Sequence, residues 1–374
     1  MRLPVCALSK KHMASRETWD ALMEVIAWSF KCLASGQFPS KRHTGEAWTQ
    51  KDTYRKKLGG KPIGLKAVLA EVRADWQFLS QVFAFPAHNL GAGNCWKCRV
   101  TPQTMKDFSL TAAWRQPENR LSHWDLLSRW HQQGVRPSPL FGAPFLVSQC
   151  FAIDWLHAVD QGVGPDYLGN LFWHVLPQLP GNNRKEKVSS LFMKIDEFYR
   201  RQPTDSRLDD LTALMIKAPK KGPKLRSKAA EARGLIPFGL ELANELLGGD
   251  DQVNVAIRGC AKHLMEAYNC LSVASFSSET LQTHVRQFLV LYCALEASSK
   301  DKLWSVKPKF HLFAELANDG NCPSLQWTYR DEDYGGTAAR VAHRRGGKNS
   351  ALSMGSNFLL KFYAKNRIPT LGAA

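Results

Sequence analysis

The sequence predicts a mostly α fold with a small α/β part. Three observations carry that expectation. From residue 121 to about residue 300, apolar residues recur at helical spacing with few breaks. In residues 64–74, Val68, Ala70, Val72 and Ala74 alternate with other residues, which predicts a strand ending at Asp75. Pro308 then interrupts the helical region ahead of a short apolar stretch from Phe310 to Leu316.

In chain order, Trp19, Leu22, Val25, Ile26, Phe30 and Leu33 predict a helix over 16–35. Residues 36–63 are rich in Gly and Lys and read as a loop with short helical pieces. A short helix from Trp76 to Phe85 stops at Pro86, and residues 86–102 form a loop holding Cys95-Trp-Lys-Cys98. Helices follow over 121–133, 151–160, 165–177, 185–201, 206–217, 227–247, 252–270 and 278–299, with a last one over roughly 350–366. The expected domains are 1–86, 87–306 and 307–374.

Composition narrows the function classes. An apolar content of 44% excludes a disordered chain. The longest apolar run, Phe288 to Leu295, is too short to span a bilayer, and the first residues lack the apolar core of a signal peptide. Nine cysteines at mostly wide spacing do not read as a secreted disulfide framework, so an intracellular, reducing and nuclear setting is expected. Fifty Lys and Arg against 33 Asp and Glu give a net charge of +17, which makes DNA the expected partner and no membrane. Self-association is left open.

Several constellations carry chemistry. Cys95-x-x-Cys98 reads either as two ligands of a tetrahedral Zn²⁺ site, with His88, His123, Cys150 and His157 the nearest candidates to complete it, or as plain buried or surface cysteines. Asp154 and His157 lie one helical turn apart, a face that can bind metal, although the spacing alone favours a helix cap followed by a core-edge histidine. The loop 217–228 carries six positive charges and no acid. Its Lys220, Lys221, Lys224 and Arg226 are candidate phosphate contacts, a nuclear-import signal or equally a solvated linker, and Lys307 and Lys309 beside His311 are candidate phosphate contacts or equally a solvated loop end. Asp331, Glu332 and Asp333 form an acidic knot running into Arg340, Arg344, Arg345 and Lys348. That pattern fits a divalent cation beside a phosphate backbone, and equally a helix N-terminus with its favourable acids.

The order of these blocks resembles the transposases of CACTA (En/Spm-type) DNA transposons. Arg73-Ala-Asp75 followed by Cys95-Trp-Lys-Cys98 is similar to the family's aspartate block and CPxC motif. Ile153-Asp154-Trp-Leu-His157 with Gly162-Val163 is similar to its DxMH…GV helix. Lys307-Pro-Lys-Phe-His311-Leu and Trp327-Thr-Tyr-Arg-Asp-Glu332 are similar to its HLLxHL segment and its glutamate block. The resemblance implies an RNase H-like core interrupted by a large all-helical insertion. It implies a DDE site holding Mg²⁺, with Asp75 the second acid and Glu332 the third. No DGF-type block with a first aspartate occurs in residues 1–74, Trp96 replaces the CPxC proline, and Asp333 stands where the family has a basic residue. The core is therefore expected to be incomplete, as in an N-terminally truncated copy, and strand cleavage weak or absent. The alternative is a non-catalytic, zinc-stabilised helical nucleic-acid-binding or scaffold protein.

Overall fold

The computed structural model describes residue 5 and residues 13–87, 95–299, 303–344 and 351–366. In chain order the first helices are α1 (Ser15–Ser35), α2 (Thr53–Leu58), α3 (Trp76–Phe83), α4 (His123–Gln132), α5 (Gly164–Val175), α6 (Arg184–Arg201) and α7 (Ala213–Ile216). They are followed by α8 (Ala229–Gly234), α9 (Ile236–Leu246), α10 (Gln252–Asn269), α11 (Ser278–Ser298), α12 (Pro308–Asn318), α13 (Tyr329–Arg344) and α14 (Ala351–Asn366). Two short strands, β1 (Val72–Arg73) and β2 (Phe151–Ala152), complete the set, so the fold is mostly α as expected. Among the described residues no helix is long and apolar enough to cross a membrane.

The chain divides into two compact units. The first gathers residues 1–68, 138–144 and 328–374; the second gathers 69–137 and 145–327. In the first unit, α1 ends at Gly36, whose φ of 74° lets its N–H cap the carbonyls of Cys32 and Leu33. The chain then doubles back through backbone hydrogen bonds that pair Phe38 with Gly60 and Lys61, and Gly36 with Ile63. A one-turn segment, Pro139–Gly142, packs on α1, and Tyr334 of α13 meets Phe362 of α14.

The second unit is built around α5. Tyr167, Leu168, Leu171 and Phe172 are all at most 1% exposed, and its glycines admit close neighbours. A helix buried on nearly every face needs neighbours all round it, and burying each large apolar side chain contributes about 1.5–3 kcal/mol. α5, α7, α8 and α9 pack together here, α10 and α11 form an adjoining pair, and α12 packs on α11. A π-helix over Leu156–Val163 runs directly into α5. Gly169 has a specific reason: a Cβ there would lie 2.4 Å from the Lys224 Cα, so only glycine lets the loop 217–228 cross α5.

Three stretches differ from the sequence expectation. The strand expected over 64–74 is confined to Val72–Arg73, which pairs in parallel with Phe151–Ala152, residues expected to be helical. Phe151 and Ala152 are both buried, and a short apolar run buried on both faces carries no period that separates strand from helix. Within 206–217 only α7 is α-helical; Leu208 and Leu211 are buried from an irregular chain, three residues apart as a helix would place them. The single helix expected over 227–247 breaks at Leu235, ahead of Pro237, into α8 and α9.

Candidate metal centre and basic surface

The CxxC loop and α12 meet in the interior of the second unit. Cys95, Cys98, His311 and Glu315 bring one ligand atom each to within 4.8 Å of one another. Cys98 Sγ lies 3.3 Å from His311 Nε2, which lies 3.5 Å from Glu315 Oε1; that oxygen is 3.8 Å from Cys95 Sγ. Ligand atoms around a tetrahedral Zn²⁺ sit roughly 3.3–3.8 Å apart, so the spacing fits such an ion. His311 and Glu315 reach it together because they are four residues apart on one face of α12.

The surroundings hold this arrangement in place. The Lys97 N–H donates to Cys95 Sγ at 3.3 Å, as suits a thiolate. Cys98 pairs through its backbone with Arg120, which sets the Arg120 guanidinium over α12. There it donates to both oxygens of Glu315, at 2.7 and 2.9 Å. Lys97 donates to Asp319 and Arg115 to Asn318, so two further contacts tie the same segment to the end of α12. Trp114 stands edge-on to His311 with ring centroids 4.7 Å apart. Trp96 stacks on Phe85 at 5.4 Å and is 2% exposed.

Electrostatics favour the ligating forms of Cys95 and Glu315, whereas Cys98 and His311 shift toward their protonated forms: burial opposes a charged His311, but its hydrogen bonds to Cys95 and Glu315 raise it to about 9. Burial raises the Cys95 thiol, but hydrogen bonds from Cys98 and His311 outweigh it and bring it down to about 6. Cys98 moves up, chiefly through its hydrogen bond to Cys95. Burial also opposes ionisation of Glu315, yet His311 and Arg120 hold it well below the usual carboxylate range. All four residues are between 0 and 3% exposed. A site this closed leaves no open position for substrate or solvent, which is the mark of a structural ion rather than a catalytic one.

The other residues singled out from sequence sit elsewhere. His123 accepts the Ser148 N–H at Nδ1, and Asp154 accepts the N–H groups of Leu156 and His157 and bonds the His157 ring. His123, Asp154 and His157 therefore lie outside this cluster, and His88 lies outside the described residues. Glu315 was missed, although a signal existed. In His311-Leu-Phe-Ala-Glu315-Leu it occupies the position where the HLLxHL pattern has its second histidine. His311 itself was read as a phosphate-side residue.

Asp75 is the N-cap of α3: its Oδ1 accepts the Phe78 N–H at 2.5 Å. Replacing it by Ala is expected to cost about 1 kcal/mol in denaturant unfolding, and by Asn only a fraction of that. Asp331, Glu332 and Asp333 are exposed in the opening turns of α13, the helix-start arrangement that the sequence also allowed. Gly335 and Gly336 continue that helix, so they do not form a loop.

The basic residues divide by use. Lys309 Nζ donates to the His157 carbonyl at 2.6 Å and Lys224 Nζ to the Gln161 carbonyl at 3.0 Å, both in the π-helix. A Cβ on Gly162 would lie 2.6 Å from Lys309 Cδ, which explains glycine there. Lys307 pairs with buried Asp166 at 2.7 Å. Burial, with repulsion from Lys224, lowers Lys309 to about 8. These three lysines are committed to internal partners. Lys220, Lys221 and Arg226 are exposed instead, and none forms an ion pair among the described residues. Their loop is anchored: the Lys224 and Arg226 N–H groups bond the carbonyls of Ile216 and Met215, and the Leu225 N–H bonds that of Pro165. Arg340 is exposed on α13, Arg344 is that helix's last residue, and Arg345 lies outside the described residues.

Comparison with known protein families, curated proteins and solved structures gives no match.

Proposed function

We propose that this chain is a transposase-derived nucleic-acid-binding protein. In this reading a Zn²⁺ ion held by Cys95, Cys98, His311 and Glu315 staples the helical unit that presents a basic loop to phosphate. The observation that carries the reading is the anchored loop 217–228. It is fixed to α5 and α7 by backbone hydrogen bonds, yet it turns Lys220, Lys221 and Arg226 outward with no acid among its residues. Three cations on a pinned backbone meet a polyanion without the ordering cost of a free tail.

Two features support the transposase origin. The CxxC block and the His311 block, far apart in sequence, converge on one centre. Asp75 and Asp154 each follow a strand of the same parallel pair, a placement suited to an α/β core. Mg²⁺ at Asp75 and Glu332 has less behind it, since Asp75 already serves as a helix cap. Binding rather than strand cleavage is therefore the activity proposed.

The test is the salt dependence of affinity for duplex DNA. Wild-type affinity should fall steeply with added salt. Changing Lys220, Lys221 and Arg226 together to Ala should reduce the slope of log K against log salt by about 2–3, equally on unrelated sequences. An affinity indifferent to salt, or a slope unchanged in the triple variant, rules the proposal out.

A further inference from the structure

We infer that the first unit carries a separate binding site for an unpaired base of single-stranded nucleic acid. The inference rests on the nucleic-acid reading and adds the state of the strand. Between α1 and the segment that carries α2 lies a cleft of about 740 Å³, lined by Trp28, His43, Trp48 and Tyr54 together with Arg42 and Arg55. Trp28 meets both His43 and Trp48 edge-on, with centroids 6.2 Å apart in each case. The Arg55 guanidinium lies over the Trp48 ring at 5.6 Å. Tyr54 is 74% exposed, so a large aromatic face is left open to solvent at the rim.

Charge selects the occupant. Residues 36–66 carry eight Lys and Arg against two acids, Glu46 and Asp52. Both acids are taken up by the arginines: Asp52 pairs with Arg42 and Arg55, and Glu46 with Arg42. Lys41, Lys51, Lys56, Lys57, Lys61 and Lys66 are all exposed. An aromatic cage for a cationic ligand would not be lined by two guanidiniums, because they repel it. A flat ring attached to an anionic backbone satisfies both features: the ring stacks on the aromatic residues and the phosphates lie along the lysines. A duplex keeps its bases stacked inside, so the ring must come from an unpaired nucleotide.

The experiment measures binding of three labelled probes by fluorescence anisotropy: an oligo(dT) of about 15 nucleotides, an abasic strand of equal length, and a duplex. Tyr54→Ala should weaken oligo(dT) binding about tenfold while leaving the abasic strand and the duplex unchanged, and Tyr54→Phe should restore it. Because Tyr54 is exposed, neither substitution threatens the fold. Oligo(dT) affinity unchanged in Tyr54→Ala, or lowered equally for the abasic strand, overturns the inference. So does tighter binding of a trimethyl-lysine peptide than of oligo(dT). If the duplex still binds with the expected salt slope in these cases, only the single-strand site falls. If wild type binds none of the three probes, the nucleic-acid reading falls with it.

Discussion

Cys98→Ser is expected to abolish metal binding and to lower the melting temperature by about 10 °C or more. Wild-type protein purified without chelator should carry about one Zn²⁺ per chain by elemental analysis. The effect is large because an ion held there would do the work of a distant cross-link. Cys95 and Cys98 sit on an irregular loop with little secondary structure of its own, and His311 and Glu315 sit on α12 more than 200 residues later. Removing one thiolate releases the ion and with it the link between the loop and α12, and loss of a structural metal is among the few mechanisms by which a single substitution costs more than about 4 kcal/mol. The Cys95→Ser, Cys98→Ser double variant should be no less stable than either single variant, since the first change already empties the site. Cys150→Ser is the control, because that thiol lies outside the cluster. A melting temperature equal to wild type in Cys98→Ser would remove the structural role.

Arg120→Met is expected to cost about 1–3 kcal/mol without removing any ligand, because the Glu315 carboxylate is buried while the Arg120 side chain is 35% exposed. Two thiolates, a carboxylate, a neutral imidazole and Zn²⁺ sum to one negative charge, and they are enclosed where water does not screen them. Arg120 cancels that charge through paired hydrogen bonds to both Glu315 oxygens. Methionine fills similar space but leaves the charge unmatched. Arg120→Lys should recover only part of the loss, because an ammonium cannot bridge both oxygens in the same plane. Urea titrations of the three proteins decide this, and a cost below about 1 kcal/mol for Arg120→Met would show that Glu315 does not depend on its partner.

The long helices were legible because their apolar period is strong: α1, α6, α10 and α11 all lie within a few residues of their expected bounds. β2 was not, since Phe151 and Ala152 are buried on both faces and alternate with nothing. The π-helix at Leu156–Val163 was also invisible, because what holds it is supplied from afar by the Lys224 and Lys309 amines. Half of the metal centre could be read from Cys95-x-x-Cys98. The other half required knowing which of several histidines the topology brings back, and sequence proximity favoured His123 and His157 over His311. The basic residues show the same limit. Composition identifies a polycation, but only the packing separates Lys224, Lys307 and Lys309, which are bound internally, from Lys220, Lys221 and Arg226, which face solvent.

The most direct test of the stapled architecture is the absorption spectrum of the Co²⁺-substituted protein. Two thiolates and two lighter ligands predict intense sulfur-to-cobalt charge-transfer bands together with the strong visible bands of a tetrahedral ion, saturating at about one Co²⁺ per chain. Both should disappear in His311→Ala and in Cys95→Ser. A weak octahedral spectrum without charge-transfer bands, or one unchanged in His311→Ala, would contradict a metal centre built from Cys95, Cys98, His311 and Glu315.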